Sequence, residues 1–238
     1  MKLYGYFRSS AAYRVRIALN LKGVAVEHAP VHLLRGGGEQ HAAGYRARNP
    51  QGLVPTLELD DGAVLTQSLA IVEYLDALQP SPPLVPSDPK LAARVRAVAL
   101  TIACDTHPLA NLRVLAYLRG PMAQPQGAVD AWYRHWAREG GLLAVEAMIE
   151  GGDYCFGDAP TLADLCLIPQ LANARRFGVP IDDLPKCLRV EAACASLPAF
   201  AAAHPDRQPD AEGGGEALAT TARMRAVKGN SAVIGERR

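Results

Sequence analysis

The chain has 238 residues, enough for one large domain or two small ones with a substantial core either way, and 25 Lys and Arg against 24 Asp and Glu leave a net charge of +1. No global field therefore draws it to nucleic acid or to an anionic membrane, and the expected partner is a small molecule or another subunit. No apolar run reaches the roughly 18 residues of a membrane span, and the stretch from Met1 to Arg8 lacks the apolar core of a signal peptide, so a soluble cytoplasmic protein is expected.

Residues 2–7 are short, apolar and aromatic and read as a strand. After Arg8, Ser9 and Ser10 a helix follows to Lys22, with Val15, Ala18, Leu19 and Lys22 spaced along one face and Gly23 as its stop. Val24, Val26, Val31 and Leu33 then alternate in an extended segment, completing a βαβ unit. Gly36, Gly37 and Gly38 break the chain, and a short helical stretch leads to Asn49 and Pro50. The apolar runs 54–59 and 63–65 flank Asp60-Asp61-Gly62 and read as a hairpin. A helix from Ser68 to Leu78, with Gln67 or Ser68 at its start, stops before Pro80.

Five prolines between residues 80 and 89 cannot continue a helix and stiffen a linker. Helical spacing then recurs in 88–118, 125–150, 161–177 and 187–203, with no strand signal. The expected division is an α/β domain at 1–80, a linker at 81–87, an all-α domain at 88–210 and a disordered tail at 211–238, whose charged, glycine-rich sequence buries little. Cys104, Cys155, Cys166, Cys187 and Cys194 form no CxxC pair, which argues against disulfides and zinc; each is expected to be a small buried hydrophobe.

Several strings carry a resemblance. They are Phe7-Arg8-Ser9-Ser10-Ala11-Ala12-Tyr13-Arg14-Val15-Arg16-Ile17-Ala18-Leu19, Asn49-Pro50-Gln51-Gly52-Leu53-Val54-Pro55-Thr56-Leu57, and Gln67-Ser68-Leu69-Ala70-Ile71-Val72-Glu73-Tyr74-Leu75. Further on come Cys104-Asp105-Thr106-His107-Pro108-Leu109-Ala110-Asn111-Leu112-Arg113, Gly157-Asp158-Ala159-Pro160-Thr161-Leu162-Ala163-Asp164, and Arg175-Arg176-Phe177 ahead of Arg207-Gln208-Pro209-Asp210. In this order, over residues 1 to about 210, they resemble the zeta class of glutathione transferases, which includes maleylacetoacetate and maleylpyruvate isomerases. The resemblance implies a thioredoxin-like βαβα-ββα domain followed by an all-α domain, glutathione as cofactor, a maleyl keto acid as substrate, a homodimer, and a place in aromatic amino-acid catabolism. One position departs from the family: its cysteine or threonine is Ala11 here.

Isomerising a cis double bond calls for a reversible nucleophile. A glutathione thiol with an ordinary pKa of roughly 8.5 serves better when the protein lowers it. Ser9 and Ser10 sit at a strand-to-helix turn, where a hydroxyl and helix amides favour the thiolate, although serine there also serves simply as an N-cap. The resemblance places Gln67 and Ser68 at the γ-glutamyl carboxylate and makes the Val54–Pro55 bond cis, opening the Val54 backbone to the cysteinyl residue. Gln40 or His41 is a candidate for the glycine carboxylate and Asn111 for a further glutathione contact, while His107, just before Pro108, is open between contacting glutathione, helping to enolise the substrate and a purely structural place. Fixed positive charge for the substrate falls to Arg8 and Arg176, with Arg113 and Arg175 as weaker candidates, since a guanidinium binds a carboxylate through two hydrogen bonds. Asp105 stays open. Thr161 to Asp164 has capping-box spacing, and Trp132, Tyr133 and Trp136 read as packing. Two rival readings remain: a transferase or dehalogenase of small α-halo acids, and a binding module without catalysis.

Overall fold

The computed structural model describes residues 1–212; the tail expected to be disordered lies, from residue 213 on, outside them. Strands β1 (Lys2–Gly5), β2 (Glu27–Pro30), β3 (Thr56–Glu58) and β4 (Val64–Thr66) form one mixed sheet in the order β2-β1-β3-β4. Leu3 stands beside His28 in the parallel β1–β2 pair and beside Leu57 in the antiparallel β1–β3 pair. A parallel pair needs a crossover, and helix α1 (Ser10–Lys22) supplies it. The β3–β4 hairpin turns at Gly62, whose φ of +85° suits glycine. Helices α2 (Ala43–Arg46) and α3 (Ser68–Leu78) complete the βαβα-ββα order. Of the extended segment expected over 24–34, only β2 forms a strand; its partner face is short and mostly exposed.

Helix α1 is the centre of the molecule. Its sequence suggested one buried face, but every residue from Ala12 to Leu19 is buried, because α3 packs on one side while the helices that follow the linker pack on the other. Gly23 closes α1 in the left-handed conformation, its N–H on the Asn20 carbonyl. Lys22, the last residue of α1, is buried and donates to Asp76 at 2.6 Å and to the Pro82 carbonyl. Asp76 also accepts from the N–H groups of Leu84 and Val85 at 2.8 and 3.1 Å. One buried ion pair thus fastens the proline-rich segment to α1 and α3.

The expected helical runs are present but interrupted. Helix α4 (Pro89–Leu100), capped by Asp88 with Pro89 at its first position, passes into a π-helical turn at Thr101–Thr106, and α5 (Leu112–Arg119) begins afresh after Pro108 with Asn111 as its cap. Likewise α6 (Gln126–Ala137) runs into a π turn at Arg138–Leu142 before α7 (Leu143–Met148). The two wide turns meet: a Cβ on Gly141 would lie 2.1 Å from Thr106 Oγ1, so the residue there must be glycine. Hydrophobic spacing does not register a π insertion, which leaves the helix axis nearly continuous. The 187–203 run splits into α9 (Pro185–Ala195) and α10 (Pro198–Ala203), each opened by a proline. Among the described residues no helix is long and apolar enough to cross a membrane.

Helix α8 (Leu162–Arg176) starts on the expected capping box. Buried Asp164 accepts from Thr161 N and Oγ1 at 2.7 and 2.9 Å and from Cys155 N at 2.8 Å. Asp164→Ala strands those three donors and is expected to cost about 3 kcal/mol in urea unfolding. Four cysteines are buried as expected; Cys104, on the outer side of its π turn, is exposed.

Candidate active site

The turn between β1 and α1 is held from beneath. Phe7 N–H donates to Asp210 at 3.0 Å, and Arg16, buried inside α1, donates to the carbonyls of Phe7 at 3.1 Å and Ala203 at 3.0 Å. Burial lowers the Arg16 pKa to about 10, with Asp210 opposing, so it remains charged at neutral pH. A cavity of about 230 Å³ beside Arg16, His28 and Gln208 is lined by none of the candidate site residues, and Arg16 directs Nε, Nη1 and Nη2 to backbone carbonyls.

On this support the two serines part company. Ser9 is half-buried and caps α1, its Oγ accepting from Ala12 N at 3.1 Å, which leaves the hydroxyl proton without an acceptor among the described residues. Ser10 is buried, accepts from Asn173 Nδ2 of α8 at 3.0 Å and lies 3.3 Å from His107 Nε2. Ser10 therefore ties α1 to the helical domain, while Ser9 keeps a free donor at a helix N-terminus. Ala11, on the first turn, offers only a methyl group.

Val54–Pro55 is cis, as expected, and the Val54 N–H and C=O have no hydrogen-bond partner among the described residues. Gln67 takes a φ of +69°, unusual outside glycine, and donates through its side chain to Gln51 at 2.8 Å. Ser68 opens α3, whose first amides lack partners within the helix. Its buried hydroxyl accepts from Arg14 Nη1 at 3.3 Å. Gln40 is buried with Oε1 unpartnered, its Nε2 3.1 Å from the ring of exposed His41.

Arg8 lies over the Phe7 ring at 4.7 Å, and Arg176, at the end of α8, lies over Phe177 at 4.8 Å. Tyr133, one of the expected packing aromatics, stacks on the Phe177 ring at 4.0 Å. Trp132 and Trp136 pack against each other, and Trp132 donates to the Leu109 carbonyl. The part of Arg176 covered by protein, and next the charge of Arg8, lower its pKa, which puts the two guanidinium groups in each other's field. Arg175 instead pairs with Glu191 on α9. Arg113 is exposed on α5, Asn111 is occupied in capping that helix through Arg113 N, and Asp105 is exposed. Among the described residues, Ser9 keeps its proton, Val54 its backbone groups and Arg8 and Arg176 their guanidinium groups without hydrogen-bond partners, while Gln67 is bonded to Gln51, Ser68 to Arg14, and Arg175 and Asn111 have structural partners.

His107 is held neutral. Burial first, then the charges of Arg14 and Arg113, lower its pKa to about 3. An unfolded histidine titrates near 6.5, so between these values the unfolded chain binds the extra proton and stability falls as pH falls. From pH 7.5 to 5 this residue is expected to remove up to about 2 kcal/mol. Urea unfolding at both pH values checks it: His107→Asn should show a weaker pH dependence over that range.

Sequence reasoning missed Arg14, Asn173 and the anchoring role of Asp210. Arg14 carried a signal, a cation inside a helix whose other faces are apolar, but one-face periodicity assigns such a residue to solvent.

Residues 3–83 match the family described as glutathione S-transferase, N-terminal domain. The chain is 50% identical over 210 residues to a maleylacetoacetate isomerase of Pseudomonas aeruginosa, covering 88% of this chain and 98% of that one. The chain belongs to the zeta-class glutathione transferases. Among solved structures of that class, holo maleylpyruvate isomerase superposes with a TM-score of 0.85 at 45% identity, covering 89% of this chain and all of the other. The maleylacetoacetate isomerase of Methylobacterium extorquens, with bound malonate and glutathione, gives 0.84 at 42% identity, with the same two coverages. As a zeta-class transferase the chain has its four-stranded thioredoxin-like unit first and its helices second.

Proposed function

We propose that this protein is a glutathione-dependent cis–trans isomerase that converts maleylacetoacetate to fumarylacetoacetate in the cytoplasm, as a homodimer, within aromatic amino-acid catabolism. The observation that carries the reading is the free Ser9 hydroxyl at the N-terminus of α1 next in the chain to Arg8, whose guanidinium has no ion-pair partner among the described residues, with Arg176 in its field. The division into 1–80, 81–87 and 88–210 is part of the proposal: the first unit holds glutathione and the second closes over the substrate.

The residues present fit glutathione. Val54 offers a backbone N–H and C=O free among the described residues to a cysteinyl residue, the start of α3 with Gln67 and Ser68 suits the γ-glutamyl carboxylate, and Gln40, with Oε1 unpartnered, or His41 would take the glycine end. When bound, glutathione supplies a thiolate that adds reversibly to the cis double bond, makes it a rotatable single bond, and leaves once it has turned. Ser9 donates to the sulfur and holds it as the anion, aided by the amides of α1. Arg8 and Arg176 bind the carboxylates of the keto acid and keep its ends apart while the bond rotates. Neutral His107 accepts or shares the Ser10 proton and adds no competing charge.

Product analysis tests the reading. Maleylacetoacetate and maleylpyruvate should each be followed by proton NMR with a trace of glutathione: the trans product with glutathione fully recovered is expected, faster for maleylacetoacetate. Chloride release from a chloro acid at a higher rate than either isomerisation would replace the proposal with the dehalogenase reading.

A further inference from the structure

Arg14 lies on the second turn of α1 and is 1% exposed. Its Nη1 donates to Ser68 Oγ at 3.3 Å, while Nε and Nη2 have no partner, and it makes no ion pair among the described residues. A buried cation without a counter-charge is unfavourable, so the site is electrostatically incomplete. What would complete it is an anion, and the neighbouring feature that attracts one is the start of α3, where Ser68 stands among amides that have no partner within the helix. The hydrogen bond itself has a consequence for the serine. A hydroxyl has one proton and two lone pairs; with a lone pair taken by Arg14, the Ser68 proton is directed elsewhere, as a donor.

We propose that Arg14 is a positioning residue for glutathione: its guanidinium, set behind Ser68, turns that hydroxyl toward the γ-glutamyl α-carboxylate and supplies the positive charge that balances it. This rests on the assignment of the start of α3 to glutathione. A second charge next to Arg14 is unwelcome, which agrees with His107 being held neutral beside it. Lysine would not replace Arg14, because an ammonium lacks the planar fork that serves Ser68 and a second acceptor at once.

The test compares glutathione with γ-aminobutyryl-cysteinylglycine, the same tripeptide without the α-carboxylate, by calorimetric titration, together with thermal melting. The unsubstituted protein is expected to bind glutathione roughly 30-fold more tightly than the truncated tripeptide, the usual size of a charge-assisted contact. In Arg14→Met this ratio is expected to fall below about 5-fold. Unliganded Arg14→Met should melt no lower than the unsubstituted protein, since an unpaired buried charge has gone, yet glutathione should raise its melting temperature less. If Arg14→Met does not fold, Arg14→Lys serves: the ratio should drop about 3-fold or more. Equal binding of both tripeptides by the unsubstituted protein overturns the α3 assignment itself. A full ratio retained in either variant, or an Arg14→Met protein that is merely less stable with its discrimination intact, overturns the role of Arg14 alone.

Discussion

Ser9→Gly is expected to lower turnover of the maleyl substrate about 100-fold or more, the usual loss when one preorganised donor to a developing or bound anion is removed. Glycine is the informative replacement because it is itself an acceptable N-cap and costs the helix only a few tenths of a kcal/mol, so a loss of activity is chemical. The pKa of enzyme-bound glutathione, read from the thiolate absorbance as pH is raised, should move up by about one unit or more. Ser10→Ala should behave differently. It removes the hydroxyl shared by Asn173 and His107, leaves those groups short of a partner, and is expected to cost about 1–3 kcal/mol of stability while shifting the thiol pKa far less. If Ser10→Ala raised the thiol pKa and Ser9→Gly did not, the two roles would be exchanged.

Arg176→Gln is expected to raise the KM for the dicarboxylate substrate about 30- to 100-fold, with glutathione affinity unchanged, because it deletes a charge-assisted contact to a group that glutathione does not use. Arg8→Gln should act in the same direction and also lower kcat, since Arg8 adjoins Ser9 and adds its charge to the thiolate's surroundings. Because burial and then the charge of Arg8 lower the preference of Arg176 for its charged form, an anion held between the two guanidinium groups relieves their repulsion. Their effects should therefore be non-additive in a double-mutant cycle. Arg176→Lys should recover only part of the loss. Inhibition by malonate, measured across the same variants, isolates the carboxylate contact from turnover: its inhibition constant should rise in parallel with the KM.

Much of this was legible in the sequence because local chemistry agreed with the fold. Gly23 had to end α1 and Gly62 had to turn the hairpin, and both do so with positive φ. The prolines of 80–86 excluded a helix, and Asp164 at the third position after Thr161 announced the buried cap. The misses share a physical cause, namely that they depend on contacts between distant segments. The π turns at Thr101–Thr106 and Arg138–Leu142 bring Gly141 against Thr106 across two helices, a meeting that no local period records. Two adjacent serines look alike in sequence; Asn173, 163 residues away from Ser10, is what distinguishes them. Arg14 was hidden because α1 is covered on all sides, so its arginines point into protein instead of water. Only once α3 and α8 are in place does Arg14 become a buried charge in need of an anion.

The central claim is tested most directly by the absorbance of maleylacetoacetate mixed with the enzyme, with and without glutathione. Rapid conversion to the trans product that requires glutathione and leaves its concentration unchanged is the predicted result. Conversion at the same rate without glutathione, or no conversion despite saturating glutathione, would contradict it.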